Sequence, residues 1–306
     1  MVHGWIILDK PLGLGSTQAV SAVKRALRDA GHGKAKVGHG GTLDPLATGV
    51  LPIAIGEATK LAGRMLDATK TYAFAVRFGR QTDTLDLEGQ VVATSDVQPE
   101  PGAVARVVAD RFTGPIEQIP PAYSAILIDG RRAYDRARDG EDVPMQPRAV
   151  TILHWGAITE ADVEGEREVT LTVTVSKGTY IRSLARDIAL ALGTRGHVTM
   201  LRRLQAGPFT LDTAISLDNL RDAAMGTGLK NVILPMEAGL VDIPALDLDP
   251  DQARAVRQGR VLTGLPQTDG LWLARSGLVP VALVELSDGA LRVERGFNLP
   301  DIAKVM

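Results

Sequence analysis

The sequence predicts an α/β chain that ends in a small β-rich unit. Two observations carry this. Stretches of period-two alternation, the mark of half-buried strands, recur between segments whose apolar residues follow helical spacing. After about residue 242 the texture changes to one short helix and several short strands. A chain of 306 residues has room for one large domain and a small one. The expected division is 1–241 and 242–306.

In order, WIILD (5–9) reads as a strand followed by a Pro/Gly turn. Ser16 is expected to cap a helix whose Ala19, Val20, Val23, Ala26 and Leu27 share a face, with Gly31 as its stop. Residues 38–49 form a glycine-rich loop, VLPIAIG reads as a strand, and 57–66 as a helix. In KTYAFAVRFG (70–79), Tyr72, Phe74, Val76 and Phe78 alternate with Ala73, Ala75 and Arg77, the period of a strand. A helix is expected over 99–112. Four prolines and the charged run RRAYDRARDGED mark 120–150 as an inserted arm.

The clearest strand is expected over 168–182, with Val169, Leu171, Val173, Val175 and Ile181 on one face. Tyr180 and Arg182 fall on the other. A short helix over 184–192 follows, stopped by Gly193. In the tail, Asp249-Pro250 opens a helix that Gly259 ends, and VALVEL-SDG-ALRVERGF is a hairpin signal.

Composition excludes several classes. With no cysteine, disulfides, thiolate metal sites and cysteine nucleophiles are out, which fits a reducing cytosol. The five histidines are scattered without metal-ligand spacing, so no metal site is expected. No apolar run approaches the roughly 20 residues that cross a membrane, and MVHGWIILDKP is not a signal peptide. The formal net charge of −2 points to no polyanionic partner, but local charge differs. Lys177, Arg182, Arg186, Arg195, Arg202 and Arg203 are opposed only by Asp187, and Lys24 to Lys36 is also basic. Such runs are more often solvated faces than binding surfaces.

The most unusual stretch is GHGGTLDPLATGVLP (38–52). Its glycines permit tight turns and close approach of a ligand. Asp44 precedes Pro45, so it is held extended. On spacing alone the loop reads either as a functional loop or as a structural turn bonded to its own backbone. It is not a phosphate-cradling P-loop, because the Lys-Ser/Thr ending is absent.

This loop resembles the GHTGxLDPxATGxLP signature of the TruB family, the tRNA pseudouridine-55 synthases. LDKPLGLGSTQAV, KTYAFAVRFGRQTDTLDLEG, PPAYSAILIDGRRAYDRAR, KGTYIRSLARDI and LRRLQAGPF are similar to further family blocks, in order, between residues 8 and 209. The tail from about 242 resembles a PUA domain. The resemblance implies a pseudouridine synthase fold (α+β, with a mixed, largely antiparallel sheet) and a small PUA-like RNA-binding domain. It implies that uridine 55 in the TΨC loop of tRNA is flipped out and isomerised to pseudouridine. No cofactor, metal or membrane is involved, and the enzyme is a cytoplasmic monomer.

By the same resemblance Asp44 is the catalytic carboxylate, as nucleophile or as base. Arg182 is its cationic partner through a two-pronged bond, and Tyr72 stacks on the target base. His39 wedges open the RNA loop, Tyr180 and Leu201 close the pocket, and Lys10 contacts RNA. Lys177, Arg131 and Arg132 are expected to hold phosphates. Asp83, Asp86 and Glu88 belong to a structural loop outside the site. Two departures stand out: Gly40 replaces the usual threonine of the catalytic loop, and Leu127 a common lysine of the arm. Other readings are a noncatalytic tRNA-binding or folding protein, a guide-dependent synthase, and a small-molecule α/β enzyme.

Overall fold

The computed structural model describes residues 2–226 and 228–299. Strand β1 (Gly4–Lys10) is almost entirely buried, and α1 (Ser16–Asp29) follows it. The helix is capped by Gly15, whose N–H donates to the Gln18 side chain. Ser16, expected as the cap, is instead the first helical residue. Its hydroxyl is diverted to Leu43, 27 residues away. β2 (Val37–His39) then leads through the glycine-rich loop into β3 (Ala47–Ile55), which pairs antiparallel with both β1 and β2.

A 3-10 turn (Gly56–Leu61) and α2 (Ala62–Asp67) come next, then β4 (Lys70–Phe78) and the β5 (Arg80–Thr82) and β6 (Val91–Thr94) hairpin. After α3 (Ala103–Arg111) and β7 (Gly114–Gln118), the arm forms a minimal hairpin, β8 (Leu127–Ile128) with β9 (Arg131–Arg132), and a short helix, α4 (Ala133–Arg138). The long β10 (Arg148–Val163) starts inside the range expected for the arm. Its alternation is masked because two register shifts, between Ile152 and His154 and between Trp155 and Ile158, interrupt the period.

The strand expected over 168–182 stops early. β11 spans Glu166–Val175, because the Lys177-Gly178 turn, with Gly178 at φ 80°, breaks it. Tyr180 becomes the N-cap of α5 (Ile181–Ala191). Ile181, Leu184, Ala185 and Ile188 satisfy a helix better than a strand, so Arg182 sits in a first helical turn.

β12 (Gly196–Ala206), β13 (Phe209–Thr210) and α6 (Leu217–Met225) complete the first unit. Its nine-stranded sheet runs β1-β3-β12-β4-β11-β10-β7, with β2 and β13 beside β3 and β12. It is antiparallel except where β12 meets β3 in parallel over Leu201↔Ala47 to Arg203↔Gly49.

The tail holds β14 (Ala245–Asp247), α7 (Pro250–Arg257), β15 (Leu262–Thr263), β16 (Gly270–Ser276), β17 (Val279–Ser287) and β18 (Ala290–Gly296), with all five strands in a second sheet. Asp249 caps α7 through the N–H groups of Asp251 and Gln252, as its Asp-Pro signal implied. Among the described residues no helix is long and apolar enough to cross a membrane.

Alternation along β1 and β3 sends side chains to two cores. Ile6, Leu8, Leu51 and Ile53 pack under α1 and α6. Trp5, Ile7, Val50 and Ala54 pack with Phe209 and with Leu273, Leu283 and Phe297 of the second sheet. A third core joins Phe74, Val76, Val169 and Leu171 to α5 and α3. Tyr72 and Leu201 touch both this core and the one beneath α1, so they mark the seam between them.

The fold also explains Gly40. A Cβ there would lie 2.6 Å from the Cβ of Met65, a buried residue of α2, so Met65 fills the space a threonine needs. Gly40→Thr is expected to cost about 1–3 kcal/mol. The double variant Gly40→Thr/Met65→Gly, which removes the opposing Cβ, should be less destabilised than the two single changes added. Denaturant unfolding of the four proteins checks this, and strict additivity would refute the steric pairing.

Candidate active site

At the seam, a cleft of about 370 Å³ opens between the glycine-rich loop, β4, the turn before α5 and the arm. That volume lies in the range of small-molecule sites. Asp44, Tyr72, Tyr180, Arg182 and Leu201 all line it. These residues lie far apart in sequence, and the topology brings them together. β12 is wedged between β3 and β4, placing Leu201 beside both Ala47 and Phe74.

Asp44 accepts an ion-pair bond from Arg182, Nη2 to Oδ2, at 2.9 Å. The Arg182 side chain is 6% exposed and that of Asp44 41%, so the carboxylate faces the cleft and the guanidinium stands behind it. The expected two-pronged pairing is not formed. The fork is divided: Nη2 also donates to the Tyr123 carbonyl at 2.9 Å, and Nη1 to the Thr84 carbonyl at 2.8 Å. Nη1 lies 3.5 Å from Asp86 Oδ2. Arg182 is thereby fixed by the arm, the β5–β6 loop and Asp44 together.

Asp86 is the residue that reading the sequence placed outside the site. It is buried, and its other oxygen accepts from the Thr84 hydroxyl at 2.6 Å and the Glu88 N–H at 3.0 Å. Leu85 turns the chain into this position at φ 64°, a left-handed conformation for a side-chain-bearing residue. Asp86 reaches the chemistry only through Arg182. The signal was present in the TxTxD spacing: the Thr82 hydroxyl bonds the Asp86 carbonyl and the Thr84 hydroxyl its carboxylate.

The loop itself is gripped from outside. Ser16 Oγ donates to the Leu43 carbonyl at 2.9 Å and accepts the Leu43 N–H at 2.8 Å. Lys10 Nζ donates to the carbonyls of Pro11, Leu14 and Pro45 at 3.1, 2.6 and 3.2 Å. Lys10 is fully buried, so it holds the residue after Asp44 and presents no surface to RNA, contrary to expectation. Arg203, also buried, donates to Gly41, Thr42 and Val50 carbonyls. Lys70 on the cleft wall donates to Leu66 and Ala68 carbonyls, both at 2.6 Å. Neither Arg203 nor Lys70 was singled out individually in the sequence as a site residue. Burial pushes Lys10 and Lys70 down to about 8.

His39 sits at the loop's start, where its Nδ1 accepts the Gly41 N–H at 3.4 Å. Burial and the nearby Arg203 charge lower its pKa, so the ring is neutral at pH 7. Burial raises the Tyr180 phenol, which stays protonated, and the Tyr180 N–H is fixed by Gln118 Oε1 at 2.7 Å. Arg132 lines the mouth, bonded to the Ala125 carbonyl. Arg131 is held by Asp139 and Glu141 at 2.6 and 2.8 Å, and Lys177 by Asp67 at 2.8 Å. Each of these two exposed cations already has a carboxylate partner. Leu127, in place of lysine, is exposed on β8.

Arg182→Lys keeps the charge and loses the fork that spans four acceptors. It should cost about 2–4 kcal/mol of stability, since one ammonium cannot reach the Thr84 and Tyr123 carbonyls and both carboxylates at once, and buried acceptors go unmet. Unfolding as wild type in urea would show that Arg182 does not anchor the arm and loop.

Comparison with known proteins agrees with this geometry. The family model described as TruB family pseudouridylate synthase (N terminal domain) matches residues 25–181. A second, tRNA pseudouridylate synthase B C-terminal domain, matches 182–241. The chain is similar to tRNA pseudouridine synthase B of Novosphingobium aromaticivorans, 69% identical over 99% of this chain and 100% of that one. The protein of that name from Zymomonas mobilis subsp. mobilis is 55% identical, over 97% and 96%. Among solved structures, a Cbf5–Nop10–Gar1 complex contains a chain that aligns with TM-score 0.70 and 29% identity, covering 97% of this chain and 85% of that one. With both halves of the first unit matched and relatives aligned over nearly the whole length, the chain belongs to the TruB family of pseudouridylate synthases.

Proposed function

We propose that this chain isomerises uridine 55 in the TΨC loop of tRNA to pseudouridine, with Asp44 as the acting carboxylate. The observation that carries the reading is Asp44 itself. It is a half-exposed carboxylate, ion-paired from behind, in a cleft bounded by Tyr72, Tyr180 and Leu201. The isomerisation breaks the glycosidic carbon–nitrogen bond, turns the uracil and rejoins it to the ribose through carbon 5. Atoms and electrons are conserved, so the reaction itself calls for no cofactor. An ionised carboxylate serves by adding to the sugar or by taking the proton from carbon 2′. Arg182 sets a positive charge behind Asp44, and its other partners prevent it from swinging into the substrate.

A stacked uridine must first leave the helix, and the aromatic face of Tyr72 against apolar Leu201 offsets the lost stacking. The cleft also carries surplus positive charge. Arg182 is matched by Asp44 and Asp86, while Lys70, Arg203 and Arg132 line the cleft bonded to carbonyl oxygens. This suits a phosphodiester entering with the base. Residues 1–241 act as the catalytic domain and 242–306 as a PUA-like RNA-binding domain, with the arm extending the surface toward the T stem-loop. The enzyme works as a cytoplasmic monomer on free tRNA.

The test is nucleoside analysis, by liquid chromatography and mass spectrometry, of unmodified tRNA incubated with the pure protein. Wild type should convert position 55. Asp44→Asn keeps size and hydrogen bonding but not charge, so it should lose turnover by at least about a thousandfold while still binding tRNA. Turnover within tenfold of wild type would remove Asp44 from the mechanism.

Activity should also fall as pH rises through about 8. Neutral Lys10 has two N–H groups for three carbonyls, so the grip on Pro45 weakens. Stability moves the other way. Between about 8 and the ordinary lysine value of 10.5 the unfolded chain binds more protons than the folded one, so these two lysines make folding more favourable as pH rises. A rate–pH profile at saturating tRNA, beside melting curves in the same buffers, separates the two. A flat rate from pH 7 to 9 would contradict the lysine argument.

A further inference from the structure

We infer that Arg203 is a positioning residue, whose guanidinium sets the place of Asp44 by bonding both ends of the catalytic loop at once. The inference rests on the function proposed above. Arg203 lies on β12 and is 1% exposed. Its Nε donates to the Val50 carbonyl at 2.7 Å, beyond Asp44 in the chain. Its Nη2 and Nη1 donate to Gly41 and Thr42 carbonyls at 3.2 and 3.4 Å, ahead of Asp44. The loop is thus closed across its base by one planar group, with Asp44 on the closed segment.

Three features show that this is a built arrangement. First, the pairing of β12 with β4 shifts register between Arg203 and Gln205. Such an irregularity re-aims a side chain within a sheet, and this one lies in the middle strand of the site. Second, Arg203 pairs with Gly49 in the parallel step between β12 and β3. A Cβ on Gly49 would sit 2.2 Å from the Arg203 carbonyl oxygen, so the loop's exit is pressed against the backbone that bears the guanidinium.

Third, no carboxylate forms an ion pair with Arg203 among the described residues, and its guanidinium is spent on the main-chain carbonyls of Gly41, Thr42 and Val50. A buried cation is costly to keep, and an apolar side chain would fill the sheet with less cost. What an apolar side chain cannot do is satisfy three loop carbonyls in one plane. Lys10 and Ser16 hold the middle of the loop at Pro45 and Leu43, and Arg203 holds its two ends. A displacement of about 1 Å at the reacting group costs on the order of a hundredfold in rate.

The experiment compares Arg203→Lys and Arg203→Gln with wild type at a temperature well below melting. It reads single-turnover conversion at saturating tRNA, tRNA affinity, and amide hydrogen exchange. Val108→Ala, a core change in α3 remote from the cleft, controls for lost stability. The expected result is a rate lower by about a hundredfold in Arg203→Lys and more in Arg203→Gln. Affinity should stay within about threefold, exchange should rise only around residues 40–50, and Val108→Ala should keep the wild-type rate.

A wild-type rate in Arg203→Lys overturns the inference. So does a loss shared equally by rate, affinity and exchange across the whole chain, or unfolding of both variants, since Arg203 is then a general stability element. If wild type itself converts no uridine, the proposed function fails. The exchange pattern then still decides whether Arg203 closes the loop.

Discussion

A buried loop without a regular ladder of hydrogen bonds must have its carbonyls met by side chains, and this constraint shapes the whole centre of the molecule. The segment from Gly41 to Leu46 carries Asp44 and runs into β3 where two hydrophobic cores meet at Tyr72 and Leu201. Water cannot solvate its inner carbonyls, and leaving them unpaired would be costly. The fold answers with donors from two distant stretches: Lys10, Gly13 and Ser16 near the N-terminus, and Arg203 from β12. β1 must therefore end beside the loop. The bidentate bond of Arg202 to Asp9, at 2.8 and 3.0 Å, ties that end to β12.

This explains which parts of the sequence were readable. The LDKPLGLGS block looks like a substrate-contacting motif because it accompanies the catalytic loop in the resemblance. In the fold it is the loop's support, and Lys10 is sealed within it. Nothing in a linear pattern tells a lysine that meets phosphate from one that meets carbonyls, because both need a cation at a turn. The reading of Asp44, Tyr72, Tyr180, Arg182 and Leu201 as one cluster rested on ordered motifs, and the sheet order places all five around the cleft. Strand β10 was missed because two register shifts interrupt its period. The end of β11 was overrun because Ile181 continues both a strand and a helix pattern, and only the Gly178 turn decides between them.

The acidic loop after β4 marks the limit of residue-type reasoning. Asp83, Asp86 and Glu88 look alike in sequence, yet they do different work. Asp83 bonds the Gln90 N–H and Tyr123, while Asp86 meets Arg182. The difference is set by Leu85 in its left-handed turn and by two threonine hydroxyls, details of backbone that composition does not encode.

The second sheet shares a core with the first, through Trp5, Phe209, Leu273, Leu283 and Phe297 around one cluster. Lys60 bonds the Gly296 carbonyl and Glu57 the Asn298 N–H across the same junction. The two units therefore do not behave as beads on a string. Removing the tail would lay bare Trp5, Ile7 and Ala54 on one side of β1 and β3. Heat should melt both sheets in a single cooperative transition. An RNA reaching from one to the other meets a template of fixed spacing, so the adjustment on binding falls to the nucleic acid.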